Sequence, residues 1–160
     1  MNKILKPILL ILLALLVTAC KADIARNDDG SLSVKTEITQ EQLQEVITSS
    51  IADPLVKDVT VSLQSGYVLV SGERQRLNDA SKTDSLTFRL DLSVSNGQPA
   101  AIISNAQIDG VAIEQNRVDN WNQTIANRLS SFGGRSENAT LQAISITPEL
   151  VTMTWNVAKQ

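Results

Sequence analysis

The chain of 160 residues contains no histidine and a single cysteine. Without histidine there is no Ser-His-Asp or Cys-His nucleophile system, and the usual zinc ligand sets lose their nitrogen donor. One thiol cannot close an intrachain disulfide, so the fold must be held by its core. GxSxG, P-loop and Ser-x-x-Lys signatures are missing too. Paired carboxylates of the glycosidase kind remain conceivable, but most Asp and Glu fall in polar turns or on polar faces, where solvation is their default. No catalytic residue, metal site or cofactor is therefore expected. Gly133-Gly134-Arg135 has the composition of an anion cradle, yet its place after a helical run reads better as a helix stop.

Aromatics make up only 3% of the chain, and 14 basic residues face 17 acidic ones. A nucleic-acid binder needs a basic face and stacking rings, so nucleic acid is not expected as a partner. The core has to be aliphatic, built on Val, Ile and Leu around Tyr67, Phe88, Trp121, Phe132 and Trp155.

What is present begins at the N-terminus. Lys3 and Lys6 precede an apolar run from Ile8 to Val17, and small residues follow. A basic region, a short greasy stretch and a small-residue site are the layout of a secretory signal. A membrane span needs about 20 apolar residues, and Lys6-Pro7 cuts this run to about half that length. The end of the run, Val17-Thr18-Ala19-Cys20, resembles the bacterial lipobox. That resemblance implies that Cys20 carries a diacylglyceryl group on its sulfur, with acyl chains such as palmitate. Cleavage before Cys20 would then discard residues 1–19. Two or three chains hold a protein durably, because each buried methylene contributes about 0.8 kcal/mol and a single chain is marginal. The expectation is a membrane-bound, extracytoplasmic lipoprotein of the cell envelope.

Residues 20–31 carry charges, Asn and Gly without periodicity and read as a lipidated tether. About eleven residues of flexible coil span roughly 18 Å. Residues 32–160 carry the regular patterns of one α+β domain. Leu32, Val34 and Ile38 alternate as in a short strand. Thr39 and Gln42 form a capping box ahead of Leu43, Val46, Ile47 and Ile51 at helical spacing, and Asp53-Pro54 ends that helix. Val59, Val61 and Leu63, a turn at Ser65-Gly66, and Tyr67 to Val70 make a hairpin. Residues 73–84 are polar and read as a loop. Residues 85–94 alternate strictly, so one face meets a core and the other meets water. Asn96-Gly97 marks a type I′ turn, with Ile102 and Ile103 beyond it on opposite faces. Val118, Trp121, Ile125 and Leu129 share one helical stripe between Asn116 and Phe132. Strands at 141–146 and 150–157 close the chain. The expected fold is an antiparallel curved sheet of about six to seven strands packed against two amphipathic helices.

The phrases DVTVSLQSGYVLVSG, LTFRLDLSVSNGQPAAIISNAQIDGVAI, NRVDNWNQTIANRL and AISITPELVTMTWNV, across about residues 38–158, resemble small bacterial envelope proteins of the LmeA-like and YpmS-like kind. Those are related to one half of the tubular lipid-binding (TULIP) folds, a curved sheet around a long helix. The resemblance implies a groove between sheet and helix for a lipid or another apolar ligand, with Trp121 and Trp155 as candidate lining residues. The alternative is a closed core, in which those rings are anchors, and an envelope protein-interaction module with no small-molecule ligand. Periodicity reports burial in both cases.

Overall fold

The computed structural model describes residues 22–133 and 138–159. The lipobox residues Val17, Thr18, Ala19 and Cys20 lie outside the described residues, as do Gly134 and Arg135.

Strands β1 (Ala22–Arg26) and β2 (Leu32–Thr39) come first, followed by helix α1 (Gln40–Ile51). Thr39 starts that helix as its pattern predicts: the Gln42 N–H donates to Thr39 Oγ1, and the Thr39 N–H donates to Gln42 Oε1 at 2.9 Å. Two otherwise orphaned donors are thereby satisfied. At the far end Ala52 turns left-handed, and Asp53-Pro54 carries the chain away. Then come β3 (Val56–Leu63), β4 (Val68–Gln75), β5 (Thr83–Ser95), β6 (Gln98–Ile108) and the two-residue β7 (Val111–Ala112). Helix α2 (Gln115–Ser130) ends in a single 3-10 turn, Ser131–Gly133, and β8 (Ala139–Ile146) and β9 (Leu150–Val157) finish the fold.

The described residues are α+β, with two helices against antiparallel sheet, but their strands form two sheets and not one. Their orders are β1-β2-β9-β8 and β3-β4-β5-β6-β7. The division has a local cause. β8 lies against the tips of two hairpins of the larger sheet: the Leu141 N–H donates to the Gly97 carbonyl at 2.8 Å, and the Gly66 N–H donates to the Ile146 carbonyl at 3.0 Å. A strand meeting hairpin ends cannot extend their ladder, so the sheet turns a corner there. Gly97 suits the contact, because an added Cβ would fall 2.5 Å from Thr140 Cγ2. Asn96 and Gly97 both have positive φ, as the type I′ turn requires.

Two other expectations are corrected. Residues 73–84 are not wholly a loop: β4 and β5 stay paired through Glu73↔Ser85, Arg74↔Asp84 and Gln75↔Thr83. Polar side chains on both faces hide a backbone ladder from pattern reading. Nor are residues 21–31 wholly a coil, since Ala22–Arg26 pair with β2 from Ala22↔Thr36 to Arg26↔Leu32.

One continuous core joins all layers. Leu43, Val46, Ile47 and Ile51 of α1 and Val118, Trp121, Ile125 and Leu129 of α2 are buried against Val61, Val70, Phe88, Leu90 and Ile103 of the larger sheet and Val151, Met153 and Trp155 of the smaller. The helices also blunt the sheet edges. Gln44 Oε1 accepts from the Val61 N–H at 3.3 Å and Gln40 Oε1 from the Leu63 N–H at 3.4 Å, so two glutamines one helical turn apart stand in for a neighbouring strand on β3. On β6 the Ile103 N–H donates to Asn122 Oδ1 at 2.8 Å. Exposed edges invite unwanted pairing. Gln44→Met is therefore expected to cost about 1 kcal/mol in urea unfolding and to raise aggregation measured by light scattering; an unchanged midpoint would mean the bond contributes nothing.

Candidate functional site

The alternation that buries Val68, Val70, Leu86, Phe88 and Leu90 turns their neighbours outward. Register aligns those neighbours in rows across the larger sheet: Ser62 beside Leu69 beside Arg89, and Thr60 beside Ser71 beside Thr87. Here the sheet is bulged. Between Thr87 and Arg89 of β5 the pairing with β6 slips, and Asn105 takes up the extra residue at φ 53°. Bulges with a left-handed residue re-aim side chains and recur beside functional sites. The bulge and the two rows line a shallow, open cleft of about 560 Å³, with Tyr67 at one side and Asn105 at the other.

The cleft has one charged group of fixed geometry. Arg89 stacks on Tyr67, its Cζ 4.1 Å from the ring centroid, and forks onto Asp91 through Nε at 2.8 Å and Nη2 at 2.6 Å. Those bonds hold the Asp91 carboxyl below its ordinary range, and Asp91 in turn raises the Arg89 guanidinium. A planar cation pinned on both sides offers a preorganised contact surface. Leu69, 45% exposed, supplies apolar area beside it, and the hydroxyls of Ser62, Ser71 and Thr87 supply polar contacts. A stacked cation, exposed apolar area and flanking hydroxyls are the elements of a recognition surface.

The two tryptophans named from sequence are both core residues, 3% and 2% exposed. Trp121 packs against Phe88 with ring centroids 6.0 Å apart, and its N–H donates to the Ile51 carbonyl at 3.1 Å. Trp155 donates to Thr36 Oγ1 at 3.2 Å, and its ring lies under Gly133. The structure does not bring them to one cleft. Trp121 borders a second, more polar one of about 440 Å³ between the end of α1 and α2. In that cleft Trp121 and Arg128 satisfy terminal carbonyls of α1. Among the described residues no group of three or more His, Cys, Asp or Glu could hold a metal ion, and no helix is long and apolar enough to cross a membrane.

The chain matches no protein-family model, no curated protein and no solved structure. Its function therefore has to be argued from the residues themselves. Sequence reasoning missed Tyr67, Arg89 and Asn105. The wet face of residues 85–94 was the available signal, but the stacking of Arg89 on Tyr67 depends on strand register, which alternation alone leaves open.

Proposed function

We propose that this chain is a lipid-anchored, extracytoplasmic, non-catalytic module of the bacterial cell envelope, acylated at Cys20 after cleavage behind Val17-Thr18-Ala19. In this proposal it works as an adaptor, presenting the outer face of the five-stranded sheet to a protein partner. The observation that carries the adaptor reading over a lipid carrier is the packing between sheets and helices. The apolar faces close on each other, both tryptophans are buried with their N–H groups satisfied, and the cleft beside Arg89 lies on the opposite, solvent face. The likeness to LmeA-like and YpmS-like proteins belongs to the proposal. On that reading the two sheets, joined where β8 meets the hairpin tips, take the place of one curved sheet, and its groove is filled by side chains.

Native mass spectrometry of the chain beginning at Lys21 tests this. The protein is expected to emerge at its bare mass; a co-purifying lipid of constant stoichiometry would restore the carrier reading. The anchor is tested separately. Cys20→Ser is expected to move the protein from the membrane fraction to the soluble extracytoplasmic fraction, and unchanged retention would remove the lipoprotein assignment.

A further inference from the structure

A lipid anchor on a long coil leaves a domain free to swing, whereas an anchor on a paired strand does not. β1 is paired with β2 along its whole length. The turn joining them is pinned as well. The Asn27 N–H donates to the Ser31 carbonyl at 2.9 Å and the Gly30 N–H to the Asn27 carbonyl at 3.0 Å. Asp29 Oδ1 accepts from both the Ser31 N–H and the Ser31 hydroxyl, and Asn156 of β9 donates to the same hydroxyl at 3.3 Å. Ser31 is 6% exposed. The segment from Ala22 to Ser31 is thus built into the four-stranded sheet.

That leaves one residue, Lys21, between Cys20 and a paired strand. Consecutive Cα atoms lie 3.8 Å apart, so the Cys20 Cα is within about 8 Å of the start of β1. The polar layer of a bilayer leaflet is of similar depth, roughly 5–8 Å. Acyl chains on Cys20 that enter the hydrocarbon therefore draw the beginning of β1 into the headgroups. The side chains there are suited to it. Ile24 stands opposite Val34 and Leu32 opposite Arg26, which puts Ile24 and Leu32 on one face of the sheet, diagonally adjacent. They are 60% and 39% exposed. β8, three strands away, is the strand that meets the larger sheet, so β1 is the edge remote from that junction.

We propose that the β1 edge of the four-stranded sheet, with Ile24 and Leu32, is a docking surface for the lipid bilayer in which Cys20 is anchored, and that it holds the domain in one orientation with the five-stranded sheet turned away from the membrane. The inference rests on the reading of Cys20 as acylated. Charge does not select this surface, because Lys21, Arg26 and Lys35 are offset by Asp23, which stands opposite Lys35, and by Asp28 and Asp29 in the turn; the exposed apolar pair and the short link to Cys20 carry the contact.

The test uses the purified, acylated full chain, whose only native sulfhydryl is taken up by the anchor. Single cysteines replace Ile24, Leu32 or Leu77, the last 82% exposed in the loop between β4 and β5. Each carries a fluorophore, and each protein is reconstituted in phosphatidylethanolamine–phosphatidylglycerol vesicles bearing a headgroup quencher. Ile24→Cys and Leu32→Cys are expected to be quenched several-fold more strongly than Leu77→Cys. A Gly-Ser insertion of about twelve residues after Lys21, which adds roughly 20 Å of reach, is expected to leave Ile24→Cys more strongly quenched than Leu77→Cys, because the surface itself docks; a fall to the Leu77→Cys level overturns the docking surface and leaves tether length as the cause. Equal quenching at all three sites in protein of confirmed acyl mass overturns the docking surface and leaves the anchor standing. Absence of acyl mass on the unsubstituted chain overturns the anchor, and the docking inference with it.

Discussion

Alanine at Trp155 is expected to remove about 3–5 kcal/mol of folding stability. Domains of this kind hold about 5–15 kcal/mol in total, so the variant should sit near the edge of unfolding at 37 °C. The magnitude follows from position. Trp155 is among the largest fully buried side chains. It lies on β9, an interior strand of the smaller sheet, paired with Val34 on one side and Leu141 on the other. Its ring is flat against Gly133: a Cβ there would fall 2.6 Å from three ring carbons. Removing the ring uncouples the end of α2 from the sheet and takes away the N–H that Thr36 Oγ1 accepts, leaving the hydroxyl its bond to the Met153 carbonyl. Urea unfolding followed by far-ultraviolet circular dichroism measures the loss directly. A cost below about 1 kcal/mol would mean the ring is not seated as a core anchor. The same variant bears on function: a ring lining a lipid groove would, on truncation, change ligand retention more than stability.

Much of the fold was legible because local chemistry and global packing agree. Thr39 and Gln42 cap α1, Asn96-Gly97 turns a hairpin, and Val118, Trp121, Ile125 and Leu129 are the buried stripe of α2. Residues 85–94 alternate as read, but the buried face stops at Leu90; Val94 is 36% exposed, because the hairpin runs on past the helices to meet β8. Alternation gives the face of a strand and not the extent of what covers it. The division into two sheets was illegible for a related reason. β2 pairs with β9 across more than a hundred residues, and no local pattern says which distant strand a given strand will find. β1 was missed because Ala22–Arg26 is short, lies at an edge and has little to bury; its support is backbone pairing and a turn. The candidate cleft was half legible. A wet sheet face could be read, but not the bulge at Asn105 that re-aims it, nor the strand register that sets Arg89 over Tyr67.

Asp53 carries the second large expected effect, and its neighbours explain why the sequence hid it. It follows α1 directly, where it read as a helix stop. In the structure its side chain is 9% exposed and accepts from Arg74 Nε of β4 at 3.0 Å and from Arg117 Nη2 of α2. It also accepts from the Leu55 N–H at 3.0 Å. One carboxylate thus ties α1, the larger sheet and α2 together at the end of the molecule away from β8. Asp53→Ala is expected to cost about 2–4 kcal/mol, less than a fully buried pair, because the two freed guanidinium groups are exposed enough to rehydrate. The pH dependence has a definite sign. Burial pushes the Asp53 carboxyl upward, but the Leu55 N–H and the two arginines together pull it further down, so its net shift is below the ordinary value. A carboxyl whose folded pKa lies below its unfolded value of about 3.9 stabilises the fold above that pH, and the contribution is lost as pH falls through the folded pKa. Urea midpoints of the unsubstituted protein and of Asp53→Asn should therefore differ by a constant amount above about pH 5 and converge below about pH 4. Exposed carboxylates such as Asp29 and Asp79, also held low by their hydrogen bonds, are common to both proteins and cancel in the difference. A gap that stayed constant down to pH 2 would show that Asp53 acts through its shape and its bond to Leu55, and that the charge linking the two arginines contributes nothing.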